Sequence, residues 1–212
     1  MPKGLLVSLE GIDGCGKTTQ VRLLLERLPA EMAPLATREP GGTEVGEKIR
    51  NIILQKGPSL SLKAEILLYM AARVEIVSQV IVPALAEGKL VICDRYIDSS
   101  VAYQGYGAGG DLAWIDSLNR AATDGCRPQL TFLLDLPVEE AIRRRGTGGD
   151  RIEDRGRDFH QRVREGYLEL AAREPDRFVV LDATLSPEAL HRIIKDTITA
   201  RWEGKDRGCK PV

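Results

Sequence analysis

An α/β fold with a parallel sheet is what this sequence predicts. Three observations carry the prediction: five short apolar runs, helical segments between them, and a glycine-rich loop where the first run meets its helix. The runs lie at 4–9, 34–37, 89–93, 130–135 and 178–181. Each is short enough for a strand, and helical stretches alternate with them. The expected sheet is therefore parallel and covered on both faces, giving three layers. A chain of 212 residues accommodates this as a single domain, 1–212, with room for a large core.

The first run, Leu5-Leu6-Val7-Ser8-Leu9, leads directly into Gly11-Ile12-Asp13-Gly14-Cys15-Gly16-Lys17-Thr18. This is a complete G-x-x-x-x-G-K-T loop, and Thr19 onward reads as a helix. Strand, glycine loop and helix together turn the pattern into a mechanism. The loop curls its N–H groups toward one anion, and the helix N-terminus adds partial positive charge. Residues 11–19 are the expected triphosphate site, with Lys17 reaching the β- and γ-phosphates and Thr18 ligating Mg²⁺.

Composition narrows the partners. Thirty Lys and Arg against 31 Asp and Glu leave a net charge of −1, so nothing in the overall balance favours nucleic acid or an anionic membrane. No apolar run is read as approaching the ~20 residues of a membrane span, and the N-terminus enters a core strand without a signal peptide. Cys15, Cys93, Cys126 and Cys209 are scattered, which suits a reducing cytoplasm and argues against zinc or a disulfide framework. His160 and His191 are the only histidines, and both are expected on helix surfaces.

Leu62 to Glu87 is the longest helical pattern and is apolar nearly all round. Ile66, Tyr69, Met70, Arg73, Val74 and Val77 mark one face; Leu67, Leu68, Ala71 and Ile76 mark others. Such a helix needs burial on more than one side, either within the monomer or against another subunit. Pro83 is expected to kink or end it. The segment 143–157 is dominated by arginine and glycine and reads as a lid that closes over transferring phosphates. The polar tail, 203–212, is expected to be loose.

The strand at 89–93 ends in Asp94-Arg95, at the edge that faces the ligand crevice in a parallel sheet. Asp94 is placed to support Mg²⁺, and Arg95 offers a planar fork for a second phosphate group.

Asp94-Arg95-Tyr96-Ile97-Asp98-Ser99-Ser100-Val101-Ala102-Tyr103-Gln104 resembles the D-R-[YH]-x-x-S-[STN]-x-A-Y-Q motif of thymidylate kinases. Leu9-Glu10-Gly11-Ile12-Asp13-Gly14, Arg38-Glu39-Pro40-Gly41-Gly42-Thr43 and Leu68-Tyr69-Met70-Ala71-Ala72-Arg73 are similar to that family's phosphate loop, R-E-P-G-G-T turn and base-binding helix. Arg127-Pro128 and Asp150-Arg151-Ile152-Glu153 agree too, so the resemblance spans the chain in order. It implies a five-stranded sheet in the order 2-3-1-4-5, transfer from ATP to dTMP with Mg²⁺, and a homodimer paired through helices. The loop carries Ile12, Asp13 and Cys15 rather than a basic residue, so the chain is similar to members with a catalytic lid arginine.

The resemblance also implies residue roles. Lys17, Arg95, Arg151 and Asp13 would be catalytic. Arg38, Glu39, Pro40, Tyr69, Arg73, Ser99, Ser100, Tyr103 and Gln104 would join Asp13 and Arg95 around dTMP. Tyr69 would stack on the base, Arg73 would meet thymine O4, and Ser100 and Gln104 would read the base edge. Tyr103 would crowd C2′. Asp13 would contact the 3′-hydroxyl, a metal-bound water or Arg95. Another nucleotide or deoxynucleoside kinase of the same fold is the nearest rival. A GTP-dependent switch lacks support, because no N-K-x-D motif occurs.

Overall fold

The computed structural model describes residues 4–57, 59–146 and 149–205. Its strands are β1 (Leu5–Glu10), β2 (Leu35–Arg38), β3 (Leu90–Asp94), β4 (Leu130–Asp135) and β5 (Phe178–Asp182), each within a residue of the expected runs. All pairings are parallel, in the order β2-β3-β1-β4-β5. Parallel neighbours need crossover connections, and helices make them. The β1 residues are buried throughout because helices cover both faces of the sheet. One core cluster gathers Leu5, Val7 and Leu9 with Phe132, Leu134 and Ile194; another gathers Leu6, Val91 and Cys93 with Ile76 and Ile81.

The helices are α1 (Lys17–Arg27), α2 (Glu44–Leu54), α3 (Leu62–Ile76), α4 (Val82–Ala86), α5 (Ile97–Ser100), α6 (Leu112–Thr123), α7 (Val138–Arg145), α8 (Arg157–Arg173) and α9 (Pro187–Lys205). Side-chain caps set several of their starts. Thr43 accepts from the Gly46 N–H, Ser61 from Ala64, and Asp111 from Ala113 and Trp114. Two π-helical stretches, Val77–Ile81 and Val101–Gly107, follow α3 and α5.

The first π stretch explains the fate of Pro83. Helix continues past the expected break, and the Val82 N–H reaches back five residues to the Val77 carbonyl. A π turn is one way to place a proline, which lacks an N–H, without ending the helix. Leu62–Ala86 is therefore one 25-residue helical run, and its most apolar 18-residue window has a mean hydropathy of 1.6, enough by length and composition to cross a membrane. This corrects the expectation that no such run exists. Its inner side carries Glu65 and Arg73, both buried on protein partners, which ties the run into the domain.

The faces of α3 also differ from the expected assignment. Ile66, Met70, Arg73 and Ile76 point inward, while Leu67 and Val74 are about half exposed at 49% and 46%. Ile76 thus belongs to the buried face and Val74 to the open one, as 3.6-residue periodicity through Ile66, Met70 and Arg73 requires.

Both histidines are buried, against the expectation of surface positions. His160 packs edge-on against Phe159, with Nε2 3.2 Å from the Glu153 carbonyl oxygen. His191 has neither ring nitrogen hydrogen-bonded. Burial lowers both pKa values, because the charged ring would lose its hydration. In the tail, 203–205 continue α9; 206–212, including Cys209, lie outside the described residues.

Candidate active site

The site forms where the carboxyl ends of β1 and β3 lie side by side, with Leu9 in register with Asp94. After Glu10 the chain turns through Gly11 at φ 135°, where a Cβ would sit 2.5 Å from the Leu134 carbonyl oxygen. Only glycine fits that approach. Gly16 then takes a left-handed conformation at φ 100° as the N-cap of α1. No side chain caps α1, and its first turn holds no acid, so its leading N–H groups suit an anion. Lys17 Nζ donates to the Gly11 and Ile12 carbonyl oxygens at 3.0 Å each. Ile12 and Cys15 send their side chains into the core and contribute to the loop through the backbone.

Two adjoining cavities open from this corner, of about 580 and 1090 Å³ including their mouths. The larger is lined by Gly14, Gly16, Lys17, Thr18 and Thr19 of the loop, with Arg38, Asp94 and Arg144 facing them. The smaller is lined by Pro40, Tyr69, Arg73, Ser99, Ser100, Tyr103 and Gln104, with Leu54, Asp150 and Ile152. Asp13, Glu39, Arg50, Arg95 and Glu153 line both. A concave site of this size with convergent charged groups is the form a small-molecule pocket takes.

Arg95 sits at the junction. Its backbone is left-handed at φ 70°, a strained state for a non-glycine residue, and hydrogen bonds hold it on both sides. The Arg95 N–H donates to the Leu9 carbonyl oxygen at 3.0 Å, and the Tyr96 N–H donates to Glu10 Oε1 at 2.7 Å. The guanidinium donates to Asp13 at 2.6 Å, to the Gly11 carbonyl oxygen at 3.0 Å and to the Tyr103 hydroxyl at 3.1 Å. Its carbon lies 4.9 Å from the Tyr103 ring centroid. Burial by itself would raise the Asp13 carboxyl, but Arg95 and Lys17 beside it outweigh burial and hold it well below the usual carboxylate range.

Behind Arg95 lies a carboxyl that the motif reading left without a role. Glu10 is fully buried and accepts from the Ser99 and Tyr167 hydroxyls at 2.7 and 2.8 Å. Both hydroxyls also lie 3.3 Å from Arg95 Nη1.

Arg73 is 1% exposed and its donors are heavily used. Nε and Nη2 donate to Glu39 Oε2 at 2.8 and 2.5 Å, and Nη1 donates to Asn119 at 2.5 Å. Its weakest partner is Met70 Sδ, 3.5 Å from Nη1. Glu39 Oε1 and Ser100 Oγ, both buried, have no hydrogen-bond partner.

Thr18 Oγ1 donates to Asp94 Oδ2 at 2.8 Å, so a hydroxyl and a carboxylate share the floor of the larger cavity. Oxygen donors of this kind suit a hard divalent cation. Mg²⁺ commonly takes one or two carboxylates plus substrate phosphates rather than an all-protein cage. No cluster of three or more acidic, histidine or cysteine ligands occurs among the described residues.

The segment expected to form a lid is more firmly held than its composition suggests. Ile152 is buried in the core, while the Arg151 side chain donates to the Ile53 carbonyl oxygen at 2.8 Å and to Glu65 at 2.7 Å. Arg151 lines neither cavity; the lid-side arginine that does is Arg144, in the last turn of α7. Thr147 and Gly148 of the expected lid lie outside the described residues. Arg38, expected near dTMP, pairs with Glu47 at 3.0 Å and lines the larger cavity instead.

Sequence reasoning passed over Arg50, Glu65, Asn119 and Tyr167. Arg50 follows Glu47 by three positions on a cap-initiated helix, a spacing that reads as an ordinary surface pair. Tyr167 sits on α8, and 157 residues separate it from Glu10.

The Glu10 environment makes stability depend on pH. Burial, reinforced by Asp98 and opposed by Ser99, Arg95 and Tyr167, pushes its carboxyl from 4.5 up to about 7. The folded state thus favours the protonated form. That contribution is complete below the unfolded pKa near 4.5 and is lost as pH rises through about 7. Glu10→Gln, permanently neutral, is expected to lose less stability than the parent between about pH 5 and about pH 8, the gap changing by about 1–3 kcal/mol. Urea unfolding at both pH values measures it.

A thymidylate kinase family model matches residues 9–194 of this chain. Curated thymidylate kinases from Pelotomaculum thermopropionicum and Kosmotoga olearia are 50% and 48% identical to it, over 214 and 196 residues. The first alignment covers 97% of this chain and 99% of the relative; the second covers 91% and 94%. A crystal structure of thymidylate kinase from Ehrlichia chaffeensis superposes with a TM-score of 0.75 at 36% identity, covering 92% of this chain and 98% of that one.

Proposed function

This chain belongs to the thymidylate kinase family and is a dTMP kinase of nucleotide biosynthesis, and we propose that its two cavities divide the substrates, ATP in the larger and dTMP in the smaller. The observation that carries this division is Arg95, which lines both cavities at the corner where the uncapped α1 N-terminus and Lys17 also converge. Phosphoryl transfer asks the protein chiefly for in-line positioning and charge compensation.

In this reading Lys17 and the N–H groups of residues 14–19 hold the donor phosphates. Arg95, fixed by Asp13, holds the acceptor phosphate against them, with Arg50 beside it. Thr18 and Asp94 would hold Mg²⁺, which supplies charge neutralisation on the phosphate oxygens. Tyr69 stacks on the base, and Ser100 Oγ, buried without a partner, faces its edge. Arg73 meets thymine O4 with the Nη1 N–H that now has only a thioether, because a carbonyl oxygen is the stronger acceptor. Tyr103, held against Asp13 at 2.8 Å, crowds the sugar.

On the lid side, Arg144 is assigned to the donor phosphates and Arg151 to holding the lid. Arg144→Ala is then expected to lower kcat about tenfold or more, as loss of one charge-stabilising donor does. Arg151→Ala should act mainly on the KM for dTMP. Steady-state kinetics of the two variants test the assignment, and a kcat loss confined to Arg151→Ala would reverse it.

Lys17→Ala should lower kcat by about 10²-fold or more, with a modest fall in melting temperature because the Gly11 and Ile12 carbonyl oxygens lose its hydrogen bonds. A well-folded Lys17→Ala protein with wild-type turnover would overturn the donor site.

Leu67 and Val74, exposed along α3, support a homodimer paired through that helix. The double variant Leu67→Glu/Val74→Glu is expected to be monomeric by sedimentation, where the parent is dimeric. Cys15, Cys93 and Cys126 are free thiols, which supports a cytoplasmic location for the single kinase domain.

A further inference from the structure

Glu65 lies in the first turn of α3, fully buried, with both carboxylate oxygens engaged. Oε2 accepts from Arg151 Nη2 at 2.7 Å and from Arg155 Nη2 at 2.6 Å. Oε1 accepts from Gln104 Nε2 at 3.0 Å. Gln104 is itself buried on the π-helical stretch Val101–Gly107, and it lines the smaller cavity close in sequence to the unpartnered Ser100 Oγ.

A carboxylate accepts hydrogen bonds and donates none, whereas a glutamine amide has one end of each kind. Turning the Gln104 amide over would put its carbonyl oxygen against a carboxylate oxygen. Glu65 therefore fixes the NH₂ end to itself and leaves the carbonyl end for the cavity. A thymine ring offers a donor, N3–H, on its pairing edge; cytosine offers an acceptor at the same atom. A fixed carbonyl suits the first and opposes the second, and a buried polar group left unpaired is a strong basis for rejection.

We infer that Glu65 is a positioning residue for base selection: it locks the Gln104 amide so that its carbonyl accepts thymine N3–H and excludes cytosine. The inference rests on the assignment of the smaller cavity to dTMP. Arg151 and Arg155 bind the other carboxylate oxygen, so the lid segment and the base-reading amide meet on one side chain.

The test is the ratio of kcat/KM for dTMP to that for dCMP, measured on the full chain. In Glu65→Gln the new amide can pair with Gln104 in either orientation, and the ratio is expected to fall at least tenfold. Gln104→Met should reduce it similarly, and Glu65→Gln/Gln104→Met should be no worse than Gln104→Met alone, because the two residues act as one unit. Arg155→Leu frees part of the lid but keeps the Glu65–Gln104 bond, so its ratio should stay within about threefold of the parent's. An unchanged ratio in Glu65→Gln overturns the inference. So does an equal loss in Arg155→Leu, which would place the effect in the lid. If Glu65→Gln does not fold, an unchanged ratio in Gln104→Met overturns it independently. A parent that uses dCMP and dTMP equally would instead remove the assignment of the cavity itself.

Discussion

The buried guanidinium of Arg95 is the group on which the site's geometry depends, because its placement links strand pairing, backbone strain and charge in one residue. The β1–β3 register brings its N–H to Leu9, and Glu10 anchors the next peptide. The resulting left-handed backbone aims the side chain across the mouth of the phosphate loop. Asp13 then has a clear physical purpose. A carboxylate in an anion-binding loop would repel phosphate if it stood alone, but here it is neutralised by Arg95 and fixes that cation in place. Asp13 and Arg95 thus compensate each other, and Lys17 beside them is the further positive charge at this corner.

Helix α3 serves two surfaces with different chemistry. Its inner face carries Glu65, Tyr69 and Arg73, each tied to a residue remote in sequence or lining the smaller cavity. Arg73 and Glu39 form an ion pair that is 1% and 4% exposed, and Asn119 from α6 takes a further donor. Burying such a pair costs desolvation that its mutual attraction only partly offsets, so its value lies in fixing geometry. It locks α3 to the turn after β2, and Tyr69 and Pro40 from these two segments both line the smaller cavity. The outer face, with Leu67 and Val74, is about half exposed.

Much of this was legible from residue order. The five strands lie within a residue of the apolar runs, because fully buried parallel strands need continuous apolar sequence. The phosphate loop was legible because its glycines answer local backbone demands: Gly11 meets Leu134, and Gly16 turns into α1. The strand order was reached through motif resemblance, and the fold has that order. What was misread depended on neighbours distant in the chain. His160 and His191 sit on helices whose polar composition suggests solvent, yet packing buries both. The arginines of the lid are alike as letters; their partners separate them.

The sequence by itself determined the sheet, the glycine-rich loop and the acidic-basic pair at the end of β3, since each follows from local periodicity or from a turn that only certain residues can make. Tertiary structure decided which charged side chains share a partner. Glu10 lies 157 residues from Tyr167, Glu65 lies 86 from Arg151, and Arg73 lies 46 from Asn119. A buried polar side chain must find its hydrogen bonds among whatever the fold brings within about 3 Å, and local sequence places no limit on how far along the chain that partner lies.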